Sequence, residues 1–316
     1  KGKTMKNNYC FGIDIGGTTV KCGLFSNDGT LIEKSEIPTR KEDNGSHILD
    51  DIKLHIDNVM KAHNINADEV CGIGMGVPGA VTENGVVNKC VNLGWDIFNV
   101  EKEMSEKTGM KVKVGNDANM AALGEFWLGG AKGYNTSIMI TIGTGVGGGV
   151  IIDGKPLYGN NGAAGEIGHL PIVEDETEKC NCGKRGCLEQ VASATGIVRV
   201  ANKTLKQIDE PSSLRDIKDF TAKDVFDEAK KGDELALYVV DKVSKYLAKG
   251  LACAACFIDP DCFIIGGGVS KAGEFFIERI EKHYKEQAFH ASRQTKIILA
   301  KLGNDAGMYG CAKLVQ

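Results

Sequence analysis

The chain has 316 residues, 42% of them apolar and 25% charged, with a formal net charge of -4 at pH 7. That length is generous for one hydrophobic core and suggests two domains. No basic block marks a nucleic-acid or membrane surface, and the one early apolar run, "YCFGI", is too short for a signal sequence or a span.

Met5 reads as the natural start, with residues 1–4 a tag remnant, and the expected location is the cytoplasm. Thiols stay reduced there, and an odd count of 11 cysteines argues against a disulfide framework.

From the N-terminus, "YCFGIDIGGTTVKCGLFSNDGTLIEK" (9–34) reads as strand, Gly/Thr turn, strand, Asp-Gly turn, strand. "HILDDIKLHIDNVMKAHNI" has helical spacing and leads into a further strand, "EVCGIGMGVPGAV". "KVKV" is a short strand running into a helix at "GNDANMAALGEFWLGGA". "TSIMITIGTGVGGGVIIDGKPLYG" (136–159) then repeats the opening pattern. Ile13, Ile15 and Gly16 align with Ile140, Ile142 and Gly143, and Asp28-Gly29 with Asp153-Gly154. Asp-Gly between apolar runs signals a hairpin whose two turn residues take positive φ. An offset of about 127 residues is the length of a duplicated domain rather than of a solenoid repeat. Towards the C-terminus, "DELALYVVDKVSKYLAKGLACAACF" is a long helix with Leu235, Val239, Val243, Tyr246 and Leu247 on one side, stopped by Asp259-Pro260. Cys253 and Cys256 on it read as small buried hydrophobes rather than metal ligands. "CFIIGGGVS" is a buried strand entering a glycine turn. Strands followed by helices, twice over, give an α/β protein of two related domains, whose ligands sit at strand C-terminal ends.

Three stretches carry chemistry. "DIGGTT" (14–19) is a turn whose backbone N–H groups and hydroxyls can approach phosphate oxygens, and "GTGVGGG" (143–149) is its second copy. Neither is a Walker A loop or a G-x-G-x-x-G opening a helix. Two such turns argue for a nucleotide held between domains, and Asp14, replaced by Thr141 in the second copy, suits a water-mediated Mg²⁺ role. At Asn116-Asp117 either residue can cap the helix, which leaves the other side chain for function. Finally, His169, Cys180, Cys182 and Cys187 fall in the spacing H-x₁₀-C-x-C-x₄-C, with Gly183 and Gly186 for turns. Cys₃His is a closed structural Zn²⁺ set, against the alternative of four unconnected residues. Such a zinc staples a loop and holds still the flanking Glu166 and Glu189.

At these residues the sequence resembles the ROK family of repressors and sugar kinases, and within it the bacterial glucokinases. "DIGGTTVKCGLF" is similar to the family's first phosphate motif and "GNDAN" to its catalytic segment. "GTGVGGGVIIDGKPLYGNNGAAGEIGH" with "CNCGKRGCLEQ" is similar to its long signature and zinc knuckle. The resemblance implies an actin/hexokinase-like (ribonuclease H-like) fold of two duplicated α/β domains with a cleft between them. The smaller domain would run over residues 5–117, completed by a C-terminal helix at 304–316, and the larger over 118–303. It implies Asp117 as the catalytic base. Sugar contacts would come from Asn116, Asp117, Glu166, His169, Glu189 and Gly79. The ATP side would be Gly16, Gly17, Thr18, Lys21, Thr144, Gly145 and Gly266, Gly267, Gly268, with Mg²⁺ held through water by Asp14. The implied activity is ATP-dependent phosphorylation of a hexose at the 6-hydroxyl, most simply D-glucose, by a homodimer or homotetramer. Kinases for N-acetylmannosamine, N-acetylglucosamine or fructose share these motifs. A sugar-responsive repressor, the reading from another class, is disfavoured, because Asp14 is only the ninth residue after Met5, where a DNA-binding domain would stand.

Overall fold

A computed structural model describes residues 8–316; Met5 and residues 1–4 lie outside the described residues. They form two compact units, one of residues 8–135, 149–165 and 301–316 and the other of residues 136–148 and 166–300.

The first unit opens with an antiparallel meander, β1 (Tyr9–Ile15), β2 (Thr19–Ser26) and β3 (Leu31–Pro38). A distorted turn α1 (Glu42–Gly45) precedes helix α2 (Ile48–Ala62), which buries Ile48, Leu49, Ile52, Ile56, Val59 and Met60 along one face. Strand β4 (Val70–Val77), the small ribbon β5 (Val86–Val87) and β6 (Phe98–Asn99), and helix α3 (Val100–Thr108) follow. Strand β7 (Val112–Asn116) then runs straight into helix α4 (Asp117–Leu128). The sheet order is β3-β2-β1-β4-β7, with β1, β4 and β7 parallel.

The next hairpin is β8 (Ser137–Ile142), β9 (Val146–Ile152) and β10 (Lys155–Pro156). After a long irregular segment come α5 (Glu189–Ala192), α6 (Ala194–Gln207), α7 (Ala222–Lys230) and α8 (Glu234–Ile258). Then β11 (Cys262–Gly266), α9 (Glu274–Gln287), β12 (Lys296–Leu299) and α10 (Ala306–Leu314) complete the chain. The second sheet is ordered β10-β9-β8-β11-β12. Its β8, β11 and β12 are parallel, so it repeats the first sheet strand for strand, as a duplication requires. Helix α8 is capped by the Asp233 side chain, which accepts from Ala236 N at 2.8 Å, and ends where Asp259 turns left-handed at φ 49°. Helix α4 packs within the first unit, although the resemblance implied a boundary at its first residue. Among the described residues no helix is long and apolar enough to cross a membrane.

Two expectations from sequence need correction. Asp153 and Gly154 both take positive φ, but in the first copy only Gly29 does. There Asp28 instead caps the turn with its carboxylate, accepting from Thr30 N at 3.0 Å and from the Ser26 hydroxyl at 2.5 Å. Cys253 is half-buried and Cys256 exposed, because the last turn of α8 rotates them away from the buried stripe.

Helix α10 lies on β1 and β4 over Gly12 and Gly74, and it meets α4 through Gly124 and Gly310. A Cβ on Gly310 would overlap the Met120 carbonyl, so the helix backbones touch with nothing between them. Gly310→Ala should therefore destabilise the protein by about 2 kcal/mol, as overpacking does, although Ala in an open helix gains about 1 kcal/mol over Gly. Urea unfolding that shows the variant as stable as wild type would mean the helices have room to separate.

Candidate functional site

In the first unit the Gly/Thr turn is tightly held. Gly16 N donates to Thr19 O at 2.9 Å, and the Thr39 hydroxyl donates to Gly16 O at 2.7 Å. Thr39 N reaches Thr18 O at 2.9 Å. A Cβ on Gly17 would meet no protein atom, so the tip of the turn is open to a ligand. Asp14 and Lys21 are paired across β1 and β2. Burial, with the negative charges of Asp117 and Asp305, pushes the Asp14 carboxyl up to about 6, against the pull of the Lys21 ammonium. Lys21 Nζ also donates to the carbonyl of Asn304, just ahead of α10.

The choice of cap at α4 is now decided. Asn116 is the N-cap: its Oδ1 accepts from Ala118 N at 2.9 Å and Asn119 N at 3.1 Å. Its Nδ2 donates to Gly79 O at 2.8 Å and to Asp117 Oδ1 at 3.0 Å. The amide is therefore fully engaged, and it aims the Asp117 carboxylate at the helix N-terminus. Gly79 enters the site through its carbonyl, which anchors the cap. Asp14, Lys21, Gly79, Asn116 and Asp117 thus belong to one unit, in which the charges of Lys21 and Asp117 act on Asp14.

In the second unit, Gly143, Thr144 and Gly145 form the turn between β8 and β9. Gly143 N bonds Gly145 O at 3.0 Å, and Ala194 N bonds Gly143 O at 2.8 Å. The Thr195 hydroxyl donates to Thr144 O at 3.0 Å. Glu189, the first residue of α5, accepts from Val146 N at 2.9 Å. A side chain at Gly145 would strike that carboxylate, so this glycine spaces Glu189 as well as opening the turn. Gly266, Gly267 and Gly268 end β11, where Gly266 pairs with Thr141 of β8.

The loop before α5 gathers the expected ligands. One donor atom each of His169, Cys180, Cys182 and Cys187 lies within 4.8 Å of all the others. Cys182 and Cys187 sulfurs are 3.6 Å apart, and Cys180 Sγ is 3.8 Å from His169 Nδ1. Thiolates ~2.3 Å from a tetrahedral centre stand ~3.8 Å from one another, so the set fits Zn²⁺ in spacing and in donor chemistry. Within the knuckle, Cys180 N bonds Lys184 O at 2.7 Å and Gly183 N bonds Cys180 O at 2.8 Å. Gly186 turns at φ 76°, where a Cβ would collide with the Val173 carbonyl. The other ring nitrogen of His169 is 4.0 Å from Glu166 Oε2. Glu189 Oε1 lies 3.8 Å from Cys180 Sγ, so one carboxylate spans from the knuckle to the phosphate-type turn.

Behind this loop stand ion pairs that sequence reasoning missed. Buried Glu176 binds Arg199 at 2.5 Å, and Arg199 also holds Glu178 at 2.9 Å. The Arg199 guanidinium draws the Glu176 carboxyl down to about 2. Gln190 Nε2 donates to Glu178 O at 3.0 Å, which fastens α5 to the same cluster. These partners come together only through the fold, and no spacing in the sequence signals them.

A glucokinase of Halalkalibacterium halodurans is 41% identical to this chain over 99% of it and 96% of the relative. A glucokinase of Thermotoga maritima is 35% identical, covering 96% of each chain. Among solved structures, a ROK family glucokinase from Streptomyces griseus, in complex with glucose and AMPPNP, superposes with a TM-score of 0.73 at 31% identity. That match covers 97% of this chain and 98% of the other. The fold is the actin/hexokinase-like α/β class of these kinases. A model of the ROK family matches residues 10–316, and on that match the chain belongs to the ROK family.

Proposed function

We propose that the protein transfers the γ-phosphoryl group of ATP to the 6-hydroxyl of a hexose, D-glucose foremost, as a glucokinase in the cytoplasm. The observation that carries this reading is Asp117 at the start of α4, its carboxylate aimed by the Asn116 cap, in a chain 41% identical to a glucokinase. Asp117 accepts the proton of O6 as that oxygen attacks the γ-phosphorus in line. The backbone N–H groups and hydroxyls of the two Gly/Thr turns receive the phosphates, with the Lys21 ammonium beside the first turn. Asp14 would hold Mg²⁺ through water, and the ion would supply charge neutralisation on the transferred group.

From the second unit, Glu166 and Glu189 accept hydrogen bonds from ring hydroxyls. His169 presents Nε2 to the sugar while Nδ1 faces the sulfur ligands. His169, Cys180, Cys182 and Cys187 would hold a structural Zn²⁺, which would fix that tautomer and ring orientation. A hexose lacking one of these hydroxyls would leave an acceptor that the bound sugar covers without a partner, which is how such a site discriminates. Coupled ADP release across glucose, N-acetylmannosamine, N-acetylglucosamine and fructose tests the substrate. Glucose should give the highest kcat/KM, and turnover confined to another sugar removes the glucose assignment.

Three variants test the parts. Asp117→Asn keeps the acceptor for Asn116 and the helix-end position but cannot take a proton at neutral pH. Its kcat should drop on the order of 10²–10⁴-fold with little change in sugar affinity. Retention of more than about a tenth of wild-type kcat means Asp117 is not the base.

Elemental analysis should find about one Zn²⁺ per chain. Cys182→Ala should lower thermal stability and raise the sugar KM, because Glu166, His169 and Glu189 lose their frame. Zinc-free active enzyme with an unchanged KM in the variant removes the metal from the account.

Asp14 sets a stability signature of its own. Its carboxyl titrates near 6 in the folded chain, above the ordinary value of 3.8, so the native state holds the proton more tightly than the unfolded chain. Its contribution is fully present below pH 3.8 and is lost as pH rises through about 6. Asp14→Asn, neutral throughout, should gain stability relative to wild type between pH 4.5 and pH 7.5 in denaturant titrations. A difference that stays flat across that window rules out the buried charge.

A further inference from the structure

Glu125 has no part in the chemistry proposed above, yet it is a fully buried carboxylate on the same helix as Asp117. Its partners are backbone N–H groups. Gly130 N donates to Oε2 at 2.7 Å and Leu302 N to Oε1 at 2.7 Å. Lys301 N reaches both oxygens, at 2.9 and 3.0 Å. Charge-assisted bonds to peptide N–H are strong where water is excluded, and breaking one strands a buried charge.

The segment that Glu125 grips leads directly to the phosphate side of the first unit. Lys21 donates to the carbonyl of Asn304. Asp305 pairs with Lys34 at 2.7 Å. The Asp14 carboxylate presses on Gly307, where a Cβ would come within 2.8 Å of it. Eight residues up the helix, ~12 Å away, stands Asp117. One carboxylate therefore joins the helix carrying the base to the strap that seats Asp14 and Lys21.

We infer that Glu125 is a positioning residue for phosphoryl transfer: it registers helix α4 against residues 301–307, and so sets Asp14 and Lys21 relative to Asp117. The inference rests on the kinase reading. Gln at this position offers one acceptor oxygen and turns an NH₂ group towards N–H donors, so the strap is released on one side. Helix α4 keeps its seat on α10 through Gly124 and Gly310.

The test compares Glu125→Gln and Glu125→Asp with wild type, well below their melting temperatures. Both steady-state kinetics and calorimetric binding of ATP·Mg and of glucose, each alone, are read. Glu125→Gln should weaken ATP·Mg, in KM and in Kd, by about tenfold or more, because sub-ångström registry governs transfer. Glucose KM should stay within about twofold, since the proposed sugar contacts Glu166, His169 and Glu189 belong to the second unit and are not among the partners of Glu125. Glu125→Asp, with both oxygens, should recover part of the ATP·Mg loss.

Equal weakening of both ligands, or a fall in melting temperature with both unchanged, overturns the positioning role. Failure of both variants to fold also overturns it, and assigns Glu125 to fold stability alone. Wild-type protein that phosphorylates no hexose sinks the kinase reading instead. In that case the calorimetric ATP·Mg arm still decides the effect of Glu125 on the phosphate side.

Discussion

The contact between α4 and α10, backbone on backbone, is the constraint from which the first unit's site follows. Glycines at 124 and 310 leave no side chain to act as a cushion, so the helices have one register and no slack. Gly12 and Gly74 allow the same closeness to β1 and β4. A sheet, a helix and a returning C-terminal helix thereby become one rigid body, built by removing side chains. Rigidity matters because phosphoryl transfer is governed mainly by position and charge, and a base misplaced by an ångström loses much of its worth. Asp117 stands at the end of one of these elements and Asp14 at the end of another.

The second unit solves a different problem. From Glu166 to α5 the chain runs through a stretch whose only regular structure is a single 3₁₀ turn at Ile167–His169. Such a segment buries too little apolar surface to hold itself. On the zinc reading the His169, Cys180, Cys182 and Cys187 set would cross-link it, and the Glu176–Arg199 pair ties it from behind. A buried ion pair costs desolvation, and this one offsets it by holding several loops at once. Glu189 makes the cross-links matter to the site, since it touches both the knuckle and the β9 backbone. Disturbance at the cysteines therefore reaches the phosphate-type turn through one side chain.

What could be read in the sequence was whatever is local. The duplicated strand–turn–strand pattern, the helical spacing over residues 47–65 and the knuckle spacing are encoded within short windows, whereas the C-terminal helix came from the resemblance. The structure forms the hairpins and both helices and brings the four donor side chains of the knuckle together. Asp28 shows where local rules stop. The dipeptide predicted a turn with two left-handed residues, but Ser26 and Thr30 gave its carboxylate a better arrangement. Asn116 and Asp117 were equivalent as letters, and only the Gly79 carbonyl, 37 residues away, decided between them. Glu125 was invisible for the same reason in stronger form. Its partners lie 176 and 177 residues along the chain, and nothing about a glutamate in a helix announces them.

Charge closes the account. Around the first Gly/Thr turn the chain sets Asp14, Asp117 and Asp305 against two ammonium groups, Lys21 and the Lys34 that pairs with Asp305. A nucleotide triphosphate brought there alone would meet net repulsion; burial first, and the same negative neighbours after it, raise the affinity of Asp14 for a proton. A divalent cation would reverse the sign by neutralising phosphate oxygens and carboxylates together. On the kinase reading, then, the excess of acid is the reason Mg²⁺ and ATP must arrive as a pair. The instability that Asp14 imposes near neutral pH is a consequence of keeping a carboxylate ready for that pair.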